Sequence, residues 1–276
     1  MTSRTGLALA LAITAPLLLA SAPGIAAEPF DHTYSDYRAL LTAVVHPPRV
    51  DYAALKAGRE QLDRVVASLA APSAETERSW ARAQRMAFWI NAYNVLTLRA
   101  IVDHYPIRAG WFTLAPRNSI RQIDGVWTTL KSDVAGRHMT LDDIEHRILR
   151  PDFRDPRVHF AINCASISCP PLADRPYLAP TLDAQLDGAA RAYLGSPEGV
   201  RLDGDAVKVS SIFKWYGDDF TAQYAARVPG SREARERGIL GAVVTFGPPA
   251  AAKQAGGGSA RIDYLDYNWS LNDVNR

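Results

Sequence analysis

The two cysteines of this 276-residue chain and one of its six histidines fall in a single segment, His159-Phe-Ala-Ile-Asn163-Cys164-Ala-Ser-Ile-Ser168-Cys169-Pro-Pro171. A β-branched and aromatic run, Val158 to Ile162, stops at small polar residues and a double proline. That pattern predicts a strand over 157–163 that empties into a shaped loop, where binding and catalytic groups concentrate. On such a strand His159, Ala161 and Asn163 share one face and Phe160, Ile162 and Cys164 the other. The turn after Asn163 can still bring the Cys164 sulfur around to the histidine. A thiol within reach of an imidazole is the arrangement of an activated nucleophile, with Cys164 attacking and His159 as base. An amide such as Asn91 or Asn163 would orient the imidazole.

The same two sulfurs admit a second chemistry. Cys164 and Cys169 stand five positions apart among small residues, and such a pair can reach the Cα separation of about 4.4–6.8 Å that a disulfide needs. A Cys164–Cys169 bridge would lock the loop rather than stabilise the whole domain, because a short loop gains little entropy on closure. Metal ligation fits least: His159, Cys164 and Cys169 lack the two-to-four-residue gap of zinc knuckles, so no metal is implied. Gly256 to Gly258 lacks the strand-to-helix setting of a phosphate loop, and no cofactor is implied either. His146 sits at the end of a short helix with Asp142 and Asp143 one turn before it, and is placed at the pocket or as a helix-end cap. His104 reads as a cap; His32, His46 and His138 lie in turn-like settings without a role. Lys214-Trp-Tyr-Gly-Asp218-Asp219 sets aromatics beside a cation and carboxylates, a composition suited to a pocket rim.

Positioning such a site falls to the helices. Apolar stripes predict helices over Tyr34 to Val45, stopped by His46-Pro47-Pro48, and over Leu55 to Leu69, ended by Pro72. Ser73 can cap the next helix, which runs from about Arg78 to His104 and is apolar around nearly its whole circumference, so it is the expected core helix. Asn91 and Asn94 lie inside that greasy stretch on one face. Thr140 opens a helix through Leu149, and Thr181 one over Leu182 to Leu194. Asp203-Gly204-Asp205 joins Val200–Leu202 and Ala206–Val209 in a hairpin. Helical patterns resume over Ser211 to Tyr216 and Arg232 to Val244. Gln254 to Ser259 reads as a glycine loop before a last strand at Arg261 to Leu265. The expectation is an α+β fold: one mostly helical domain with a small antiparallel or mixed sheet around a central hydrophobic helix. Papain-like and transglutaminase-like folds also pack a core helix against a small histidine-bearing sheet, an analogy of fold alone.

Five blocks carry a family resemblance: Phe88-Trp-Ile-Asn-Ala-Tyr-Asn94, Leu141-Asp-Asp-Ile-Glu-His146, the 159–171 segment, Ile212-Phe-Lys-Trp-Tyr-Gly-Asp-Asp219 and Tyr264-Leu-Asp-Tyr-Asn-Trp-Ser-Leu-Asn272. Together they resemble the domain-of-unknown-function 547 family, over most of the chain and with a family core of about 78–216. The resemblance implies no assigned activity.

The amino terminus reads as an export signal. Arg4 precedes the apolar run Leu7 to Leu19, and small residues lead to Ala26-Ala27, so residues 1–27 are the expected cleaved signal peptide and 28–276 the globular domain. Pro16, Pro23 and Gly24 oppose a stable membrane span of about 20 residues. The whole chain carries a net charge of +2, and loss of Arg4 leaves +1. No basic stripe stands out, which argues against nucleic acid as partner. An apolar fraction of 47% and an aromatic fraction of 9% supply a full core. The chain is read as a periplasmic or secreted envelope protein taking a small-molecule or peptide ligand. Its pocket would comprise Cys164, His159 and Asn91, with Asn94, Asn163, Cys169 and His146 around them and Lys214 and Asp218 at the edge. Its chemistry would be thiol-dependent hydrolysis or acyl transfer; the competing reading is a non-catalytic binding module with a disulfide-locked loop.

Overall fold

The computed structural model describes residues 30–108 and 115–275, so the expected signal peptide at 1–27 lies outside the described residues. The apolar run around Phe88 becomes a 23-residue helix, Arg82–His104, in which every residue from Met86 to Leu98 is buried. A helix with no solvent face has to be surrounded. Helix Arg59–Ala70 packs against it, and helix Ser35–Val44 packs against that one in turn.

The start of the central helix differs from the sequence expectation. Trp80 and Ala81 are extended, with ψ of 154° and 148°, and separate it from a short helix, Ala74–Ser79, which Ser73 caps by accepting from the Thr76 N–H. The break lets Trp80 pack on Phe30 and Phe88, at ring separations of 5.1 and 5.2 Å. It also sends Glu77 fully inside, where its carboxylate accepts from Arg85, Arg137 and the Trp89 indole at 2.8, 3.0 and 2.8 Å. A buried carboxylate persists only when paired and hydrogen-bonded in this way.

Two apolar clusters form the interior. The larger surrounds the central helix. The second joins helix Leu182–Leu194, helix Ala234–Phe246 and a mixed three-stranded sheet. In that sheet Ala206–Val209 pairs antiparallel with Val200–Asp203 and parallel with the returning strand Arg261–Tyr264. The hairpin turns at Gly204, whose φ of +58° favours glycine. Helix Ala234–Phe246 packs close to Tyr224 through Gly241, where a Cβ would stand 2.0 Å from the Tyr224 carbonyl oxygen. The fold is thus mostly helical α+β with small sheets. Among the described residues, no helix is long and apolar enough to cross a membrane.

Three local expectations fail for physical reasons. No strand forms over 157–163; Pro156–Phe160 is a 3-10 turn, opened by Asp155, which accepts from the Arg157 N–H, and by Pro156 at its first position. Val158 to Asn163 are all buried, Phe160 in the second cluster and Val158, Ala161 and Ile162 in the first. A short apolar run buried on both sides looks the same in sequence whether strand or helical turn. The helix opened by Thr140 is α-helical only over Leu141–Ile144 and continues as a π-helix, Glu145–Phe153. Pro151 sits inside it, without a backbone donor and with a ring that crowds the preceding turn. The glycine loop begins later than expected, because helix Pro249–Gly256 runs into it.

Candidate active site

The cysteine loop is built by three anchors. From the central helix, Asn94 donates to the Ala161 carbonyl and accepts from the Asn163 N–H, at 3.0 and 2.8 Å. Asn163 donates to the Pro170 carbonyl and accepts from the Ala165 N–H, closing the loop on itself. The third anchor is the carboxyl-terminal segment. The Ile167 N–H donates to the Ser270 carbonyl, the Asn272 N–H to the Ala165 carbonyl, and the Asn268 N–H to the Ser168 hydroxyl. Ala165, directly after Cys164, has a φ of +60°, a strained conformation for alanine that these bonds hold in place.

This loop presents two free thiols, Cys164 partly exposed and Cys169 buried, so the disulfide alternative between them is not formed. The Cys164 N–H donates to the Cys169 sulfur at 2.9 Å. The Cys164 sulfur lies 3.1 Å from the Ser166 hydroxyl and 3.3 Å from the Tyr267 hydroxyl. A hydrogen bond from Cys169, helped by those two hydroxyls and opposed by burial, lowers the Cys164 pKa to about 7. Burial, and the anionic sulfur beside it, push the Cys169 thiol well above the ordinary value. Tyr267 is pushed up by the same two causes. Cys164 is therefore the more acidic of the two thiols, a property that favours nucleophilicity.

His159 has other partners. Its Nε2 lies 2.8 Å from an Asp219 oxygen and its Nδ1 3.9 Å from Glu145, too far for a hydrogen bond. Burial would raise the Asp219 carboxyl, but hydrogen bonds from His159 and from Arg150, which grips it through two nitrogens at 2.7 and 2.9 Å, hold it well below the usual carboxylate range. The ring of Tyr216 stacks on His159 at 4.1 Å, and burial together with the nearby Glu145 carboxylate pushes the Tyr216 hydroxyl up.

These groups meet in a cavity of about 250 Å³. His159, Cys164 and Cys169 line it, together with Tyr93 of the central helix, Asp142, Glu145, Tyr216 and Tyr267. Three tryptophans, Trp127, Trp215 and Trp269, complete the wall. The expected pocket amides do not line it. Asn91 is occupied by the Tyr177 backbone, donating to its carbonyl at 2.8 Å and accepting from its N–H at 2.9 Å. Asn94 and Asn163 act beneath the loop as its supports. The imidazole partner is thus Asp219 rather than Asn91 or Asn163. Lys214 is exposed outside the cavity wall. Asp218 points outward to an ion pair with Arg235 at 3.2 Å. His146 lies one layer behind, its Nδ1 accepting from Arg150 at 2.9 Å and its ring beside Tyr216.

Glu145, Asp219, Tyr216 and Tyr267 are the members that residue-by-residue reading missed. Each falls inside one of the five sequence blocks, which was the available signal; chemistry alone did not separate Asp219 from Asp218. Among the described residues, no group of three or more histidine, cysteine, aspartate and glutamate side chains is arranged to share a metal ion. Residues 77–194 match the model of the family described as "Protein of unknown function, DUF547". The matched stretch begins at Glu77 and contains the central helix, His159 and both cysteines; Asp219 and Tyr267 lie beyond it. No curated protein and no solved structure gives a significant match to the chain.

Proposed function

We propose that this protein is a thiol-dependent acyl hydrolase or acyl transferase with Cys164 as its nucleophile. The carrying observation is the Cys164 sulfur at the cavity wall, with the Ser166 and Tyr267 hydroxyls at 3.1 and 3.3 Å and its pKa lowered to about 7. A thiolate attacks a carbonyl carbon, the carbon–sulfur bond forms, and the bond to the leaving group breaks. The Tyr267 hydroxyl, which faces the sulfur and accepts from Ser166, is the donor nearest the oxygen of a tetrahedral intermediate. Glu145 is the buried carboxylate of the cavity and the group able to take a proton from the water that releases the acyl chain.

The hydrogen bonds of Cys164 go to hydroxyls and a thiol, and His159 is engaged with Asp219, so no imidazole is hydrogen-bonded to the sulfur to carry a proton to a poor leaving group. Esters and thioesters, which leave readily, therefore suit this site better than amides. His159 serves as a positioning residue: bonded to Asp219 and stacked on Tyr216, it fixes that ring in the cavity wall. The free thiols favour this reading over a bridged, non-catalytic binding module. The apolar segment Leu7 to Leu19 after Arg4 supports export, with action in the periplasm or outside the cell.

The test is acylation by 4-nitrophenyl acetate. The expected result is a burst of nitrophenolate equal to the protein concentration, with one acetyl group found on the Cys164 peptide and neither seen in Cys164→Ala. Absence of the burst and of the acetyl group in wild type would remove the proposal.

A further inference from the structure

We infer that the cleft selects acyl substrates carrying a cationic amine or quaternary ammonium group beside the reacting carbonyl. This deepens the thiolate reading above and rests on it. The lining of the cavity contains two carboxylates, Asp142 and Glu145, and no lysine or arginine. The rings of Trp127, Trp269, Tyr267 and Trp215 follow one another along the wall, with neighbouring centroids 6.1, 4.6 and 4.9 Å apart. Trp215 is 44% exposed at the cavity wall, so its ring is open to a ligand. Aromatic faces attract cations through their quadrupole, tryptophan most of all, and such cages are the recurring way to hold quaternary ammonium groups.

Rings of this site already do so within the chain. The Arg121 guanidinium lies 5.1 Å from the Trp269 ring and the Arg150 guanidinium 5.2 Å from Tyr216. Both arginines stand outside the lining, Arg150 committed to Asp219. An anionic substrate would meet Asp142 and Glu145 with no lysine or arginine in the wall, whereas a cation would meet both carboxylates and the aromatic rings.

Methanethiosulfonate reagents of similar size and opposite charge read this preference at the sulfur itself. The thiolate attacks the sulfenyl sulfur, the new sulfur–sulfur bond forms, and methanesulfinate departs with the electron pair. The Cys169→Ser variant keeps a hydroxyl donor and prevents the second thiol from displacing the adduct. Rates for the 2-aminoethyl, 2-sulfonatoethyl and methyl reagents, each divided by the rate for the same variant unfolded in urea, isolate the effect of the folded cleft. The expected ratio of cationic to anionic rate is about tenfold or more, the size of one desolvated cation–π contact plus charge attraction. Glu145→Gln and Trp215→Ala should each lower that ratio. In wild type, tetramethylammonium chloride should slow iodoacetamide labelling of Cys164 relative to sodium chloride at equal ionic strength. A ratio at or below one, or no protection by tetramethylammonium, would overturn the selectivity and leave the nucleophile standing. Failure of all three reagents to modify folded Cys164 would instead remove the nucleophile reading, and the selectivity with it.

Discussion

Cys169 accepts the backbone N–H of Cys164 on its sulfur at 2.9 Å, which holds the two thiols beside each other in the loop. The two thiols are thereby driven apart in acidity, Cys164 down to about 7 and Cys169 upward. A pair of titratable groups split in this way is sorted by its environment: Cys164 is the more acidic thiol and Cys169 the one that holds its proton.

Alkylation of Cys164 by iodoacetamide should follow this split. Only the thiolate reacts, so the rate should rise with pH through a midpoint of about 7. Cys169→Ala removes the largest cause of the shift, and the midpoint should move up towards the free-thiol value of about 8.5. Stopped-flow or mass-spectrometric rates between pH 5 and 10 measure it; an unmoved midpoint would refute the donor role of Cys169. Without reductant, the unfolded wild-type chain should titrate with two free thiols.

Asp219 should make stability depend on acidity. Its folded carboxyl is held below the ordinary carboxylate range, so its contribution is complete above an unfolded value of about 4 and is lost as pH falls further. Asp219→Asn, breaking a half-exposed pair with Arg150 and His159, should cost about 1–3 kcal/mol at neutral pH. Urea unfolding at pH 7 and pH 3 checks it: the gap between wild type and variant should narrow in acid.

Glu77 should be the most costly single carboxylate to remove. Its side chain is fully buried and satisfies two arginines and the Trp89 indole. Glu77→Ala leaves those donors without their acceptor and should cost about 3–5 kcal/mol. Equilibrium urea unfolding would detect a loss of that size, and a change below about 1 kcal/mol would contradict the buried network.

Asn94 should couple the central helix to the reactive loop. Asn94→Ala removes bonds to Ala161 and Asn163 and should cost about 1–3 kcal/mol. It should also loosen the strained turn at Ala165, so that amide exchange in residues 163–169 accelerates more than in helix Ala234–Phe246. Uniform acceleration across both would point to global destabilisation alone.

What could be read directly from the chain was local. The central helix announces itself by an apolar circumference, Ser73 and Thr140 by their capping hydroxyls, and the Val200–Val209 hairpin by Asp203-Gly204-Asp205. In each case the deciding hydrogen bonds close within a few residues, so the local sequence carries the information. The same reading put His159, Cys164 and Cys169 at one site, and they do line one cavity. It misjudged Val158 to Ile162 because a run buried on both faces has no period to distinguish strand from turn.

Partner choice belonged to the tertiary structure. Asp219 reaches His159 across 60 residues, and Tyr267 reaches Cys164 across 103. Nothing in the spacing of Asp218 and Asp219 says which one turns inward to Arg150 and which outward to Arg235. Packing of the two apolar clusters makes that selection, and with it sends the amides of Asn91 and Asn94 to backbone groups. The chain alone determined which chemical groups were available and which helices would carry them. Only the folded packing decided which groups touch, because burial and long-range hydrogen bonding, rather than neighbours in sequence, fix the environment of each sulfur and ring.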